Sequence, residues 1–409
     1  MGNLTTSQAN NIWSPSGNSL AVFIDGVTGV LKLKDANGNV QPLADSLDPN
    51  PFEYGTGAEA IQPILGNNNA SGDCSTVGGG FCNTASSNYA TIGGGRTNTA
   101  SGYISTIGGG YGNIASGNSS TIGGGYFNTA SNNYATIGGG YCNTASGCCS
   151  TIGGGYQNTA SASRATIGGG RYNTASGDTS IIGGGFCNTA SYYFATIGGG
   201  KYNIASCINA TIGGGYCNTV SGGRSTIGGG GYNMVSGGYS AIGGGYFNTA
   251  SCFNATIAGG RQNTASNPYA TVGGGFCNTA SGICSTIGGG ELNTASCTNS
   301  FIGGGRCNTA SNELSTISGG SVNNASGKQS FIGGGSNNFA RDCFTSIVGG
   351  GYNDTCAFCR VVIAGSNICA DRQCATFVNN LSIKNIPTSS AGLPSGSVFR
   401  SGTALQIVP

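Results

Sequence analysis

The sequence predicts an all-β fold, a parallel β-solenoid (β-roll) of about 20 turns with one 15-residue repeat per turn. Three observations carry this expectation. Thr76, Thr91, Thr106, Thr121 and Thr136 open successive copies at a constant spacing of 15 residues. Val77, Ile92, Ile107 and their equivalents hold the second position as far as Ile347, and Asn83, Asn98 and Asn113 begin a column that runs to Asn353. The 80 glycines keep the same register, unlike those of a flexible linker, and follow no collagen period. The consensus is Thr-Ile-Gly-Gly-Gly-x-x-Asn-Thr-Ala-Ser-x-x-x-Ser/Ala, numbered below as positions 1 to 15 from the Thr; 19 copies lie between Thr76 and Arg360.

Residues 1–60 precede the repeats and read as an attachment or assembly segment. SLAVFIDGVTGVLKLK, from Ser19 to Lys34, alternates apolar and polar residues with breaks at Asp25-Gly26 and Thr28-Gly29, which predicts a hairpin. Asn37-Gly38 marks a second tight turn, and Asp48-Pro49-Asn50-Pro51 an extended linker. An isolated hairpin is marginally stable, so this segment is expected to order against copies of itself or a docking partner.

The solenoid is expected over residues 61–375. Period-2 alternation sends Ile92 inward and Thr91 and Gly93 outward; later in the same turn Asn98 and Ala100 share one face, Thr99 and Ser101 the other. The predicted core is therefore the Ile92, Ile107, Ile122 and Ile137 column against Ala100 and Ala115. Asn98 and Asn113 occupy a corner, where a side-chain amide bonds the corner backbone and stacks on the next copy's amide. The Gly triplet has two readings, positive φ at a corner or close approach of another backbone. The second places Gly93 and Gly95 against a neighbouring chain. No Lys-Ser/Thr follows the triplet, so it is not a phosphate loop.

The free positions are 6, 7 and 12 to 14. They carry Tyr111, Tyr126, Tyr141 and Tyr156 and the cluster Tyr192-Tyr193-Phe194, interrupted by Arg96, Arg171 and Lys201. Two readings stand side by side: a stacked ladder that staples neighbouring turns, or a Tyr-rich recognition face of low conformational cost. Such faces suit sugars.

Eighteen cysteines suggest an extracellular disulfide scaffold, but Cys82, Cys142, Cys187, Cys217, Cys277 and Cys307 share position 7 and none are in adjacent copies. Copies two apart lie about 9.5 Å apart along the axis, beyond the roughly 7 Å limit for a bridge. Cross-column pairs remain open (Cys142–Cys149, Cys277–Cys284, Cys207–Cys217 and Cys297–Cys307), as do bridges between chains and free thiols acting as small apolar fillers. Cys356, Cys359, Cys369 and Cys374 offer four sulfurs, but the spacing of the second pair departs from a zinc motif; no metal or other cofactor is predicted. Residues 376–409 read as a cap or tip for the open solenoid edge, with two short strands around a Pro/Gly turn from Leu381 to Pro409.

Composition narrows the function. Charged residues are 7% and the net charge is +2, no footprint for nucleic acid or an anionic membrane. There is no histidine, the commonest general base and metal ligand. The carboxylates Asp73, Asp178, Glu291, Glu313, Asp342 and Asp354 are scattered, so no catalytic pair is predicted and the chain is not read as an enzyme. No apolar run reaches the 18 or so residues of a membrane span, and the first 20 residues lack the apolar core of a secretory signal.

The repeats, for example TIGGGYFNTASNNYA from Thr121 to Ala135, resemble the head repeats of trimeric autotransporter adhesins over roughly 61–375. That resemblance implies a left-handed parallel β-roll, three chains to a head, used for attachment. The 15-residue period and the Gly triplet depart from the family pattern. LKLKDANGNVQPL at Leu31 to Leu43 looks like the virion-proximal end of viral and phage fibre proteins, and the stretch from Asn380 to Val408 is similar to the closing segment of phage and large-virus structural proteins. Together these imply a homotrimeric structural fibre on a virion surface, extracellular and without a signal peptide. Its N-terminal segment would meet the virion or fibre base, and its partners would be other copies, end to end as one option, and a host glycan or receptor. The alternatives are an ice-binding solenoid, in which Thr99 and Ser101 form an outward hydroxyl ladder, and a cell-surface adhesin.

Overall fold

A computed structural model describes residues 52–379, the strands Ala21–Ile24, Leu31–Lys34, Val40–Pro42, Val398–Ser401 and Ala404–Ile407, and Ala391, Gly392 and Ser395. The fold is all-β, a parallel β-solenoid of about 21 turns with 15-residue spacing. The chain divides into two compact units, residues 1–158 and 159–409.

In the first unit, Ala21–Ile24, Leu31–Lys34 and Val40–Pro42 form an antiparallel three-stranded sheet, one strand more than the predicted hairpin. The linker Asp48 to Pro51 lies outside the described residues. Phe52–Tyr54 pairs antiparallel with Ile61–Pro63, and Ile61 then pairs parallel with Thr76, where the regular turns begin. Two-residue strands at positions 1–2 form one parallel ladder, with Thr91↔Thr106 and Ile92↔Ile107 as the pattern. Strands at positions 9–10 form a second, with Thr99↔Thr84 and Ala100↔Ala85. Position 6 adds a third, single-residue ladder through Phe81, Arg96, Tyr111, Tyr126, Tyr141 and Tyr156. The alternation rule misses this one because it is too short to alternate.

Each turn bonds to the next in the same way. The amides of Thr91, Gly93, Arg96, Thr99 and Ser101 donate forward to Ser105, Ile107, Gly110, Asn113 and Ala115 at 2.8–2.9 Å. Positions 7 and 14 do the reverse: Thr97 donates back to the Phe81 carbonyl at 2.9 Å and Ile104 back to Asn88 at 3.1 Å. Both residues are left-handed, with φ of 53° and 55°. The sign change turns the amide around, and the two corners of each turn are built on it. The recurrence is unusual because positions 7 and 14 carry Tyr, Phe, Cys and even Val322 (φ 56°), for which left-handed backbone is strained.

The interior is narrow. Ile at position 2 and Ala at position 10 are fully buried, including Ile92, Ile107, Ile122, Ile137, Ala100 and Ala115. So is position 15, Ser or Ala, which the sequence reading left unassigned. Wherever position 12 is Gly, position 15 is Ser, as in Gly102/Ser105 and Gly222/Ser225. These glycines make an extra bond to the next turn, Gly102 N–H to the Ala115 carbonyl at 3.2 Å, and a Cβ there would strike the Gly117 carbonyl. The serine hydroxyl lies against that tight corner; the Ser225 Oγ donates to the Gly237 carbonyl at 2.7 Å.

The glycine triplet serves both predicted purposes, with one correction. The third glycine has positive φ, 91° at Gly95, and its Cβ would lie 2.7 Å from the Gly110 nitrogen. The first, Gly93, would place a Cβ 2.5 Å from the Gly108 carbonyl oxygen. The backbone that approaches is therefore the next turn of the same chain, not a neighbouring chain, because parallel turns bring identical positions into register. The middle glycine is unconfined: a Cβ on Gly94 finds nothing nearer than 4.0 Å.

The second unit repeats these three ladders from Thr159–Ala160 onward. Regularity ends at Ser346–Gly349, where Val348 replaces the first glycine and the strand runs on for four residues. Ser346 pairs with Val362, 16 residues later, with a register shift between Ile347 and Gly349. Val362–Ala364 and Thr376–Val378 complete the edge. Beyond it, Val398–Ser401 and Ala404–Ile407 form an antiparallel hairpin; the start of the predicted end segment, from Leu381, lies outside the described residues.

Candidate recognition surface

Three columns determine what the solenoid presents: the amide column inside one corner, and side chains standing outward at each corner. Asn98 is fully buried. Its Nδ2 donates to Gly94 O in its own turn at 3.1 Å, to Gly110 O in the next at 2.9 Å and to Asn83 Oδ1 in the previous at 3.1 Å. Its Oδ1 accepts from both the backbone and side-chain nitrogens of Asn113, at 3.0 and 3.1 Å. The carbonyls thus satisfied belong to the glycine triplet, so this ladder holds the corner that carries positions 6 and 7.

Position 6 is held extended by its bridge and position 7 is left-handed, so their side chains project side by side. Tyr111 lies 6.2 Å from Tyr126 and 5.1 Å, edge-on, from Phe127; Phe127 meets Tyr141, which stacks on Tyr156 at 4.9 Å and 8°. Arg96 continues the column, its guanidinium 5.7 Å from the Phe81 ring and 5.8 Å from Tyr111. In the second unit the same corner runs through Tyr172, Phe186, Tyr202, Tyr216, Tyr232 and Tyr246 with centroid spacings of 5.2–6.0 Å. Lys201 sits 5.2 Å from both Phe186 and Tyr202. Hydrogen bonding to Tyr232, and then to Cys217, pushes the Tyr216 phenol above its usual range.

Tyr192, Tyr193 and Phe194 occupy positions 12 to 14, on the opposite corner from Tyr111, Tyr126, Tyr141 and Tyr156. The seven predicted recognition residues therefore divide between two edges, and only the first is continuous. The ladder also contains Phe127, Tyr172, Tyr202 and Tyr232 at position 7, which complete its contacts. Tyr126 remains 57% exposed, so stacking between turns leaves much of the ring available.

The eight cysteines considered for cross-column bridges, Cys142, Cys149, Cys207, Cys217, Cys277, Cys284, Cys297 and Cys307, are free thiols. Each proposed pair joins position 7 at one corner to position 12 or 14 at the other. None of the eighteen cysteines is buried, so they do not act as interior fillers. The bridge present joins Cys356 and Cys369, which takes two of the four candidate zinc sulfurs. Three of the scattered carboxylates face cations of adjacent turns: Glu291 with Arg306, Glu313 with Lys328 and Asp354 with Arg341. Threonines at positions 1 and 9 form half-exposed columns in register, interrupted at position 1 by Ile181, Ala241, Phe301 and Phe331 and at position 9 by Ile114, Ile204, Met234, Asn324 and Phe339. No helix among the described residues is long and apolar enough to cross a membrane. No protein-family model matches the chain, and no curated protein matches it in sequence.

Proposed function

We propose that the protein is a structural fibre component of a virus or phage, assembled as a homotrimer, that displays a repetitive aromatic edge for attachment to a host-surface glycan. The observation that carries this reading is the aromatic column at positions 6 and 7. Its rings stand in every turn from Tyr111 to Tyr246, are fixed by a buried amide ladder, and stay partly exposed. A rigid file of amphipathic rings, with Arg96 and Lys201 among them, suits the repeating apolar faces and hydroxyls of a polysaccharide. The thin core supports association of several chains. One Ile and two small residues per turn, at positions 10 and 15, bury little, each Ile contributing about 1.5–3 kcal/mol against about 1–2 kcal/mol of backbone entropy per ordered residue.

Immunogold electron microscopy of purified particles, with antibody against the repeats, tests the placement. Label on surface fibres, with native mass measurement finding three chains, is the expected result. Unlabelled particles, or a stable monomer, would overturn it.

The threonine columns favour a second reading, ice binding, because their hydroxyls repeat in register with the turns. Their interruption by Ile114, Ile204 and Met234 counts against it. Recrystallisation inhibition by the purified chain separates the two readings.

A further inference from the structure

The amide ladder ends at the C-terminal edge, and sulfur takes its place. Asn353 is the last rung; its Oδ1 accepts from the backbone of Ile368, which stands where another Asn would continue the column. Asp354 then bonds through its backbone to Ile368 and Ala370, and the Cys356–Cys369 bridge adds a covalent link between the same turns. One turn earlier, the Cys343 and Cys359 sulfurs lie 2.7 Å apart. Their backbones are adjacent, with Arg360 N–H donating to the Cys343 carbonyl at 3.1 Å.

We propose that Cys343 and Cys359 form a second disulfide, so that two consecutive bridges link the last three turns of the solenoid.

Three considerations favour a bond over a thiol pair or a metal. Two sulfurs in van der Waals contact separate to roughly 3.5 Å or more, so 2.7 Å is too close for two resting thiols. Asp342 completes a group of three potential metal ligands with Cys343 and Cys359. Two thiolates on tetrahedral zinc, however, at ~2.3 Å each, sit about 3.8 Å apart. Neighbouring parallel turns at about 4.8 Å fall inside the 4.4–6.8 Å range of Cα separations that disulfides span. Cys374, in the following turn, donates its amide to the Cys359 carbonyl at 3.2 Å, and the residue is exposed.

The oxidant is a small disulfide such as glutathione disulfide. The Cys343 thiolate attacks one of its sulfurs and expels a small thiolate. Cys359 then loses its proton and attacks the Cys343 sulfur of the mixed disulfide, releasing the second small thiol. Two protein thiols become one protein disulfide, and one small disulfide becomes two thiols. The neighbouring Cys343 sulfur and the Asp342 carboxylate push the Cys359 thiol up to about 12, so the first attack falls to Cys343.

The test uses the full chain equilibrated with glutathione disulfide, unfolded in an alkylating reagent and digested with trypsin and chymotrypsin. Cys343 and Cys359 should appear linked and unalkylated, alongside the Cys356–Cys369 fragment. In Cys343→Ser, Cys359 should become alkylated while Cys356–Cys369 persists. Proteolytic clipping of residues 346–379 should then accelerate by roughly threefold or more, as expected when a cross-link no longer restrains the opened state. Alkylated Cys343 and Cys359 in the oxidised protein, a Cys359–Cys374 fragment, or a stoichiometric metal that shields both thiols would each overturn the proposal.

Discussion

Asn113 donates twice to Asn98 Oδ1, through its backbone nitrogen at 3.0 Å and its side-chain nitrogen at 3.1 Å. One side-chain oxygen therefore ties two turns together, and the same amide holds Gly109 O and Gly125 O. Asn113→Ala would leave the Gly109 carbonyl and the Asn128 backbone N–H without these partners, while Gly125 O keeps the Tyr111 amide. At about 1–3 kcal/mol for each buried group left unsatisfied, a loss of roughly 2 kcal/mol or more is expected, concentrated in adjacent turns. Hydrogen exchange should show faster opening of residues 98–128 than of distant turns. Unchanged protection there would mean that the ladder is ornamental.

The three glycines of one triplet should respond differently to alanine. Gly109→Ala meets only Gly94 O at 3.9 Å and is expected to be nearly silent. Gly110→Ala combines a φ of 95° with a Cβ only 2.8 Å from the Gly125 nitrogen, and should cost the most. Gly108→Ala should fall between them, since Ala258 and Ser318 occupy that position elsewhere. Chemical denaturation of the three variants gives the order, and the number of chains should not change in any of them.

Val322 is left-handed at φ 56° and 43% exposed, so it is strained and contributes little burial. Gly112 already holds the same position with φ 65°. Val322→Gly is therefore expected to stabilise its turn by about 0.5–1 kcal/mol, the strain released exceeding the added chain entropy. Destabilisation in a urea titration would refute the strain assignment.

Stability should vary little between about pH 5 and 9, because the chain has no histidine to titrate there. Arg372 beside Asp371 holds that carboxyl below its usual range, so its contribution is present above the unfolded value near 3.8 and is lost as acid protonates the folded form. Tyr216 is shifted the other way; its contribution is full below pH 10 and declines as the pH rises through its folded value. Thermal melts should trace a plateau across this range, with weak shoulders on its acid and alkaline sides. A marked transition near pH 6.5 would contradict it.

The solenoid was legible because its core is periodic: Ile92, Asn98 and Ala100 recur at a fixed spacing, and alternation alone sends them inward. The corners were not. Left-handed backbone announces itself when Gly or Asn occupies it, and here Cys82, Thr97, Phe127 and Val322 do instead. The register of parallel turns compels those angles, whatever residue is present. Gly93 was read as facing another chain because sequence shows that a Cβ is excluded without showing what excludes it. The aromatic edge was half visible: position 6 supplied Tyr111 to Tyr156, but Phe127 and Tyr172 joined only once position 7 was seen to project beside it. Cys359 stands out in the sequence only beside Cys356; its proximity to Cys343 is hidden because the turn between them has 16 residues, which breaks the column that would have aligned them.

The proposed attachment edge is tested most directly by equilibrium binding of the full chain to immobilised host-surface polysaccharides. Wild type is compared with a Tyr126→Ala/Tyr141→Ala/Tyr156→Ala variant whose circular dichroism is unchanged. Each aromatic contact is worth about 1 kcal/mol, so the triple variant should bind at least roughly tenfold more weakly. Equal binding by the two proteins, or no saturable binding by wild type to any polymer from its host, would contradict the account.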